Sequence, residues 1–286
     1  MKFVTVRIED RETLGIVAPH GIVPVETING AFDKRWSTNL FDLLQEGEWE
    51  AFQAWYGKLP EASIVQLEAL PANETTKYAP LYRHPKKIWG VGFNYVADEE
   101  ALAAVDRSEE PVGFMKPDTS LIGYGDAIVI PPQSTRTIAE AELAIVIGRT
   151  CRDVEEQDAA SYIAGYTTIF DVGADDIHRR NPRYLTRSKS FDTFFSFGPE
   201  LLTRDEIRDL PNLTVTTVLN GEAVASKRIA LMRYQPEWIV AFHSRFMTLL
   251  PGDVIMTGTP GAAVIQQGDR VECRIDGFKT LVNPVQ

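Results

Sequence analysis

Ile138-Ala-Glu-Ala-Glu-Leu-Ala-Ile-Val-Ile-Gly148 is the stretch on which the reading turns. Its apolar, β-branched run predicts a strand that stops at Gly148. Residues i and i+2 of a strand share a face. Glu140 and Glu142 therefore project side by side, while Ala141, Leu143, Ile145 and Ile147 face the other way. Two carboxylates so placed repel unless a cation, a basic side chain or a shared proton lies between them. Downstream, Asp153 and Glu156 have capping-box spacing, which predicts a helix through Tyr162 that stops at Gly165. Tyr166-Thr-Thr-Ile-Phe170 reads as a second strand, ended by Asp171. Three carboxylates with no cysteine among them suit a hard cation, Mg²⁺ first and then Mn²⁺ or Ca²⁺. On spacing alone, solvated charges on an edge strand explain the Glu140/Glu142 pair equally well.

The chain of 286 residues is 44% hydrophobic, which supplies core for one large domain and a small one. Its net charge of −11 and lack of a basic stripe argue against nucleic acid and anionic membrane as partners. Cys151 and Cys273 form no motif, so inert thiols in a reducing cytoplasm are expected. The start, Met1-Lys-Phe-Val-Thr-Val-Arg7, has no signal-peptide core, and no run of ~18 apolar residues occurs.

Outward from the acids, the elements read as follows. Residues 2–8 and 14–18 are strands, and Ile22–Glu26 is a third, edge-like because of Pro24. Asn39 caps a helix through Tyr56. Residues 61–84 are Pro-rich and irregular, which places a boundary between a small N-terminal α/β domain, 1–80, and a larger one, 81–286. Ala127–Ile130 is a strand, and Asn220-Gly221 is a type I′ hairpin turn. Pro236 opens a helix through Leu249 with Trp238, Ile239, Phe242, Phe246 and Leu249 toward the core, and His243 packs beside them. The loop Thr257-Gly-Thr-Pro-Gly261 offers backbone N–H and hydroxyl donors suited to a carboxylate. The expected class is mainly β with some α, an α+β fold.

Six landmarks in order resemble the fumarylacetoacetate hydrolase superfamily. They are Gly92-Phe-Asn-Tyr95, Phe114-Met-Lys-Pro117, Glu140 to Gly148, Gly165 to Asp171, Lys189-Ser-Phe-Asp192 and Thr257-Gly-Thr-Pro260. The resemblance covers Ile88 to the C-terminus. It implies a mixed β-roll, a homodimer with the site near the subunit contact, and a 2-oxo acid or 1,3-dicarbonyl acid as substrate. It further implies a divalent ion held by Glu140, Glu142 and Asp171, with a metal-stabilised enolate. Lys189 matches the catalytic lysine and is expected to act as base, its charge disfavoured beside the ion. Asn94, Tyr95, Lys116, Gly258 and Thr259 match substrate-side positions, and residues 96–110 match a mobile lid.

The match breaks in places. The hydrolytic branch carries a lid His and Glu that activate water; here those positions are Asp98 and Ala101. Asp98, with Glu99 or Glu100, is left as a weaker candidate. The usual S-A-R-D after the metal-binding Asp reads Gly173-Ala-Asp175-Asp176, and a usual Gln is His178, which is expected to orient substrate beside Lys189. Asn181-Pro-Arg-Tyr-Leu-Thr-Arg-Ser-Lys189 and Trp89-Gly-Val-Gly92 resemble the superfamily's 2-keto-3-deoxy sugar-acid dehydratases. The reaction thus stands open among C–C hydrolysis, decarboxylation, tautomerisation and dehydration. A catalytically silent homologue that binds metal and keto acid is the other reading.

Overall fold

The computed structural model describes residues 1–106 and 108–286; Arg107, inside the expected lid segment 96–110, lies outside the described residues. The acid-bearing stretch is a long central strand, Thr137–Ile147. It pairs antiparallel along its whole length with Ile163–Ala174, which pairs in turn with Phe195–Thr203. On its other side run Val254–Met256, then Ile88–Gly92, with Val112–Lys116 at the edge. Ala262–Ile265 continues that side past the acids. The N-terminal strands Lys2–Ile8, Arg11–Ala18 and Gly21–Pro24 extend the same sheet beyond Phe195–Thr203.

A second sheet of four strands, in the order Glu222–Arg228, Thr214–Leu219, Arg270–Ile275, Leu281–Pro284, covers the central strand. The Ala141 N–H donates to Thr217 Oγ1 across this junction at 3.3 Å. Covered on both faces, Leu143 to Ile147 are fully buried, which explains an uninterrupted apolar run there in place of alternation. Cys151 and Cys273 are both buried free thiols. Large mixed sheets with short peripheral helices agree with the expected α+β class and β-roll. Asn220 and Gly221 both have positive φ, 52° and 89°, as a type I′ turn requires.

Several local expectations change. The third strand ends at Pro24, whose fixed φ leads straight into the helix Val25–Phe32. The helix from Asn39 breaks in two, Leu40–Gln45 and Trp49–Tyr56, at Gly47 with φ +75°. Asn39 does cap the first piece, accepting from Phe41 and Asp42. Asp153 is no cap: it sits at φ +50°, and the helix is only Glu156–Ala159, followed by a tight turn Ala160–Tyr162. Residues 127–130 form no strand ladder; Ile128 and Ile130 hydrogen-bond to the C-terminal residues Pro284 and Gln286.

The late helix ends at Phe246, and its buried face is Ile239, Val240, His243 and Ser244. The aromatic series Trp238, Phe242, Phe246 lies one residue earlier, hence about 100° around the helix. Trp238 and Phe242 stack at 4.9 Å, Phe246 meets Phe242 edge-on at 5.9 Å, and Phe246 is 53% exposed. His243 is a packing residue, its Nδ1 2.7 Å from the Ile239 carbonyl oxygen and its ring between Trp89, Phe242 and Phe246.

Candidate active site

Antiparallel register sets Glu140 directly opposite Asp171. Glu142, two residues on, shares the Glu140 face, so one oxygen from each carboxylate lies within 4.8 Å of the others. Glu142 and Asp171 are buried, and the Glu140 side chain is 17% exposed. Each acid has a definite support. The Gly258 N–H donates to Glu142 Oε2 at 2.7 Å. Gly258 has φ +95°, and a Cβ there would sit 2.9 Å from that of Asn94, so this close approach needs glycine.

Lys189 Nζ bridges Glu140 Oε2 at 2.6 Å and Asp171 Oδ2. It arrives from the short helix Leu185–Lys189, past Gly173, where a side chain would press on it at 3.2 Å. Lys116 Nζ approaches Asp171 Oδ1 from below at 2.7 Å. Burial opposes charge on Asp171, yet the two ammonium groups outweigh it and hold the carboxyl below its usual range. Burial drives Glu142 well above that range, and the charges of Asp171 and Glu140 push the same way. Burial acts to discharge Lys189, but Asp171 and Glu140 overcome it and raise the amine. Lys189 thus keeps its charge while it bridges the two carboxylates; the neutral amine expected from sequence refers to a site that holds an ion.

The acids open into a cavity of about 290 Å³. Of the anticipated residues, Tyr95, His178, Lys189, Gly258 and Thr259 line it together with Glu140, Glu142 and Asp171. The Tyr95 hydroxyl is buried and has no partner among the described residues, and burial, aided by Glu142, raises its pKa.

Three anticipated residues lie elsewhere. The Asn94 amide donates to the carbonyls of Tyr234 at 3.0 Å and Thr257 at 2.7 Å and accepts from the Tyr234 N–H at 2.8 Å. It ties two loops together and does not line the cavity. Lys116 is sealed beneath the site. Its ammonium meets the carbonyls of Val172, Lys189 and Phe194 at 2.8, 2.7 and 2.9 Å besides Asp171, so no donor remains for substrate. Asp98 is exposed, and its Oδ1 accepts from the Ala101 N–H at 2.8 Å as cap of the helix Glu99–Ala103. A side chain engaged at an exposed helix start is not placed to activate water at the acids.

Phe93 and Asp175 are among the cavity residues given no role by sequence reasoning. Phe93 is 75% exposed at φ +56°, and no sequence signal marks that conformation. Asp175 was noted as a departure, but not its partners: Arg136 donates through Nε at 2.7 Å, and Arg179 forms an ion pair with the same oxygen at 2.7 Å. The donor set itself fits a divalent ion. Three carboxylates converge on one point, without sulfur or imidazole, on a cavity wall.

Three carboxylates and one lysine beside the central strand of a mixed β-roll define an enzyme of the fumarylacetoacetate hydrolase type. The chain belongs to that family: its residues 87–286 match the fumarylacetoacetate (FAA) hydrolase C-terminal family, and it is an enzyme of that superfamily. It is 37% identical over 287 residues to "Oxaloacetate tautomerase FAHD2A, mitochondrial" from Homo sapiens, covering 94% of this chain and 89% of the human protein. Among solved structures it resembles 5-carboxymethyl-2-hydroxymuconate delta-isomerase from Mycobacterium smegmatis, at TM-score 0.78 and 30% identity, over 100% of this chain and 98% of the other. It also resembles maleylpyruvate hydrolase from Sphingobium sp. SYK-6 in complex with manganese(II) and pyruvate, at TM-score 0.80 and 27% identity, again over 100% and 98%.

Proposed function

We propose that this protein is a divalent-metal-dependent tautomerase that interconverts the keto and enol forms of a 2-oxo acid. The observation that carries the proposal is the pairing of one proton-bearing group, Lys189, with the acid cluster, while Asp98 is engaged as a helix cap. Tautomerisation moves one proton from C3 and adds one at the 2-oxygen; it needs no activated water. Glu140, Glu142 and Asp171 would hold the ion, which when bound polarises the 2-oxo carbonyl as a Lewis acid.

The chain's own groups do the rest. From enol to keto, Lys189 delivers a proton to C3 and recovers the one that leaves the 2-oxygen; the reverse reaction runs the same transfers backwards. The Tyr95 hydroxyl orients the carboxylate end beside the Gly258–Thr259 loop, and His178 lines the same cavity. The kinship with tautomerases and isomerases supports this choice over hydrolysis. The dehydratase-like run 181–189 has a structural reason: Asn181 caps the turn Pro182–Tyr184, which feeds the Lys189 helix. That run delivers Lys189, and so does not favour dehydration.

The test is an assay panel with Mg²⁺ or Mn²⁺: ultraviolet decay of enol phenylpyruvate and enol oxaloacetate, cleavage of acylpyruvates, and dehydration of 2-keto-3-deoxy sugar acids. Metal-dependent enol decay supports the proposal. Cleavage or dehydration without enol turnover would replace it. The same resemblance supports a homodimer, which light scattering showing the mass of one chain would remove. Two buried free thiols support a reducing compartment for this chain, the cytoplasm first. Among the described residues, no helix is long and apolar enough to cross a membrane.

A further inference from the structure

The cavity has two chemically different parts. The acids, Lys189, Tyr95 and Thr259 form the polar part. On the central strand, the next residue of the Glu140 face is Ile138, about 7 Å further along at the usual strand rise. Val91, Phe93, Val112, Phe114 and Leu185 join Ile138 as apolar lining. Lys189 is the one Lys or Arg among the described lining residues, and Glu140 and Asp171 already engage it. Asp175 adds a further carboxylate to the lining and pairs with Arg136 and Arg179, neither of which lines the cavity. Apart from His178 and Ser188, a second carboxylate on the substrate would therefore meet an acid and an apolar wall.

Phe93 completes this picture. A bulky residue at positive φ persists only where its surroundings enforce it, and such positions gather at ligand clamps. The enforcement here is Asn94. Its amide bonds to Tyr234 and Thr257, and its carbonyl accepts from the Arg233 N–H at 2.6 Å. The effect is to hold a three-quarters exposed phenyl ring at the cavity wall.

We infer that the 2-oxo acid taken by this site carries an uncharged, apolar tail, and that Phe93 is the residue that selects it. This inference rests on the proposed keto-acid function. It is tested on the Mn²⁺-loaded protein by calorimetric binding of oxalate, 2-oxohexanoate and 2-oxoadipate. The last two have equal chain length and differ by a terminal carboxylate. The expected result is that 2-oxohexanoate binds about tenfold tighter than 2-oxoadipate or better, a preference of the size hydrophobic pockets give. Phe93→Ala should erase most of that preference. Asp175→Asn, which removes a like charge from the lining, should tighten 2-oxoadipate by about fivefold and leave 2-oxohexanoate unchanged. If oxalate does not bind the parent protein, the keto-acid reading falls and this inference with it. If oxalate binds but 2-oxoadipate matches or exceeds 2-oxohexanoate, the inference alone falls. An unchanged preference in Phe93→Ala would likewise overturn the role of Phe93.

Discussion

Replacing Lys116 by Met should unsettle the acid cluster from beneath. Met keeps most of the side-chain volume in an adaptable form, so the charge and its hydrogen bonds are what is lost. The ammonium is fully buried and serves Asp171 and three carbonyl oxygens. Burial pushes its pKa down to about 8, against the pull of Asp171. Removing one member of a buried ion pair typically costs about 3–5 kcal/mol, because the other charge is left uncompensated. Lys189 still touches Asp171, which favours the lower end. A loss of about 3 kcal/mol would lower the melting temperature by on the order of 10 °C. Urea unfolding of the parent, Lys116→Met, Asp171→Asn and the double variant measures the loss and its coupling. The double variant should recover part of it, since neutral Asn no longer needs a counter-charge. A loss under about 1 kcal/mol, within the range of an ordinary surface pair, would refute the claim that Lys116 supports the site. So would strict additivity with Asp171→Asn.

Other outcomes follow from the same geometry. Glu140→Ala, Glu142→Ala and Asp171→Ala should each abolish stoichiometric Mn²⁺ binding by calorimetry, and retention by any one removes that residue from the ligand set. Asp98→Asn should keep turnover within about twofold, because Asn caps a helix as well as Asp; loss of turnover in this variant would show a chemical role for the carboxylate. His243 is buried, and burial lowers its pKa despite the Ile239 carbonyl. Its neutral form favours the fold above its unfolded pKa of roughly 6.5, and that contribution is lost as pH falls through the lowered folded pKa. His243→Gln should therefore flatten the decline in stability between about pH 7 and 5, and an unchanged slope would contradict this.

How much was legible depended on the range of the cause. The Glu140/Glu142 alignment needs only the two-residue period of a strand, and Asn220-Gly221 only the turn it forms. The convergence of Asp171 depends on register across two strands, which the family landmarks supplied and spacing did not. Lys116 was visible as a residue, but its burial comes from the packing of Val172, Phe194 and the Lys189 helix, which no local pattern encodes. Asp98 and Asn94 sit beside motif positions, yet a capping bond and an amide clamp claim their polar atoms. Trp238, Phe242 and Phe246 were expected to face the core; the helix is turned by about one residue, which puts Ile239 and His243 inside. The Phe93 backbone is imposed by contacts with residues more than a hundred positions away.

The central claim is tested most directly by following enol phenylpyruvate decay with Mn²⁺ in the parent protein and in Lys189→Met. Calorimetry should confirm that the variant still binds Mn²⁺. The account predicts metal-dependent decay in proportion to enzyme, slowed about a hundredfold or more in Lys189→Met, as loss of a general acid–base group implies. No acceleration by the parent, or a metal-loaded Lys189→Met as fast as the parent, would contradict it.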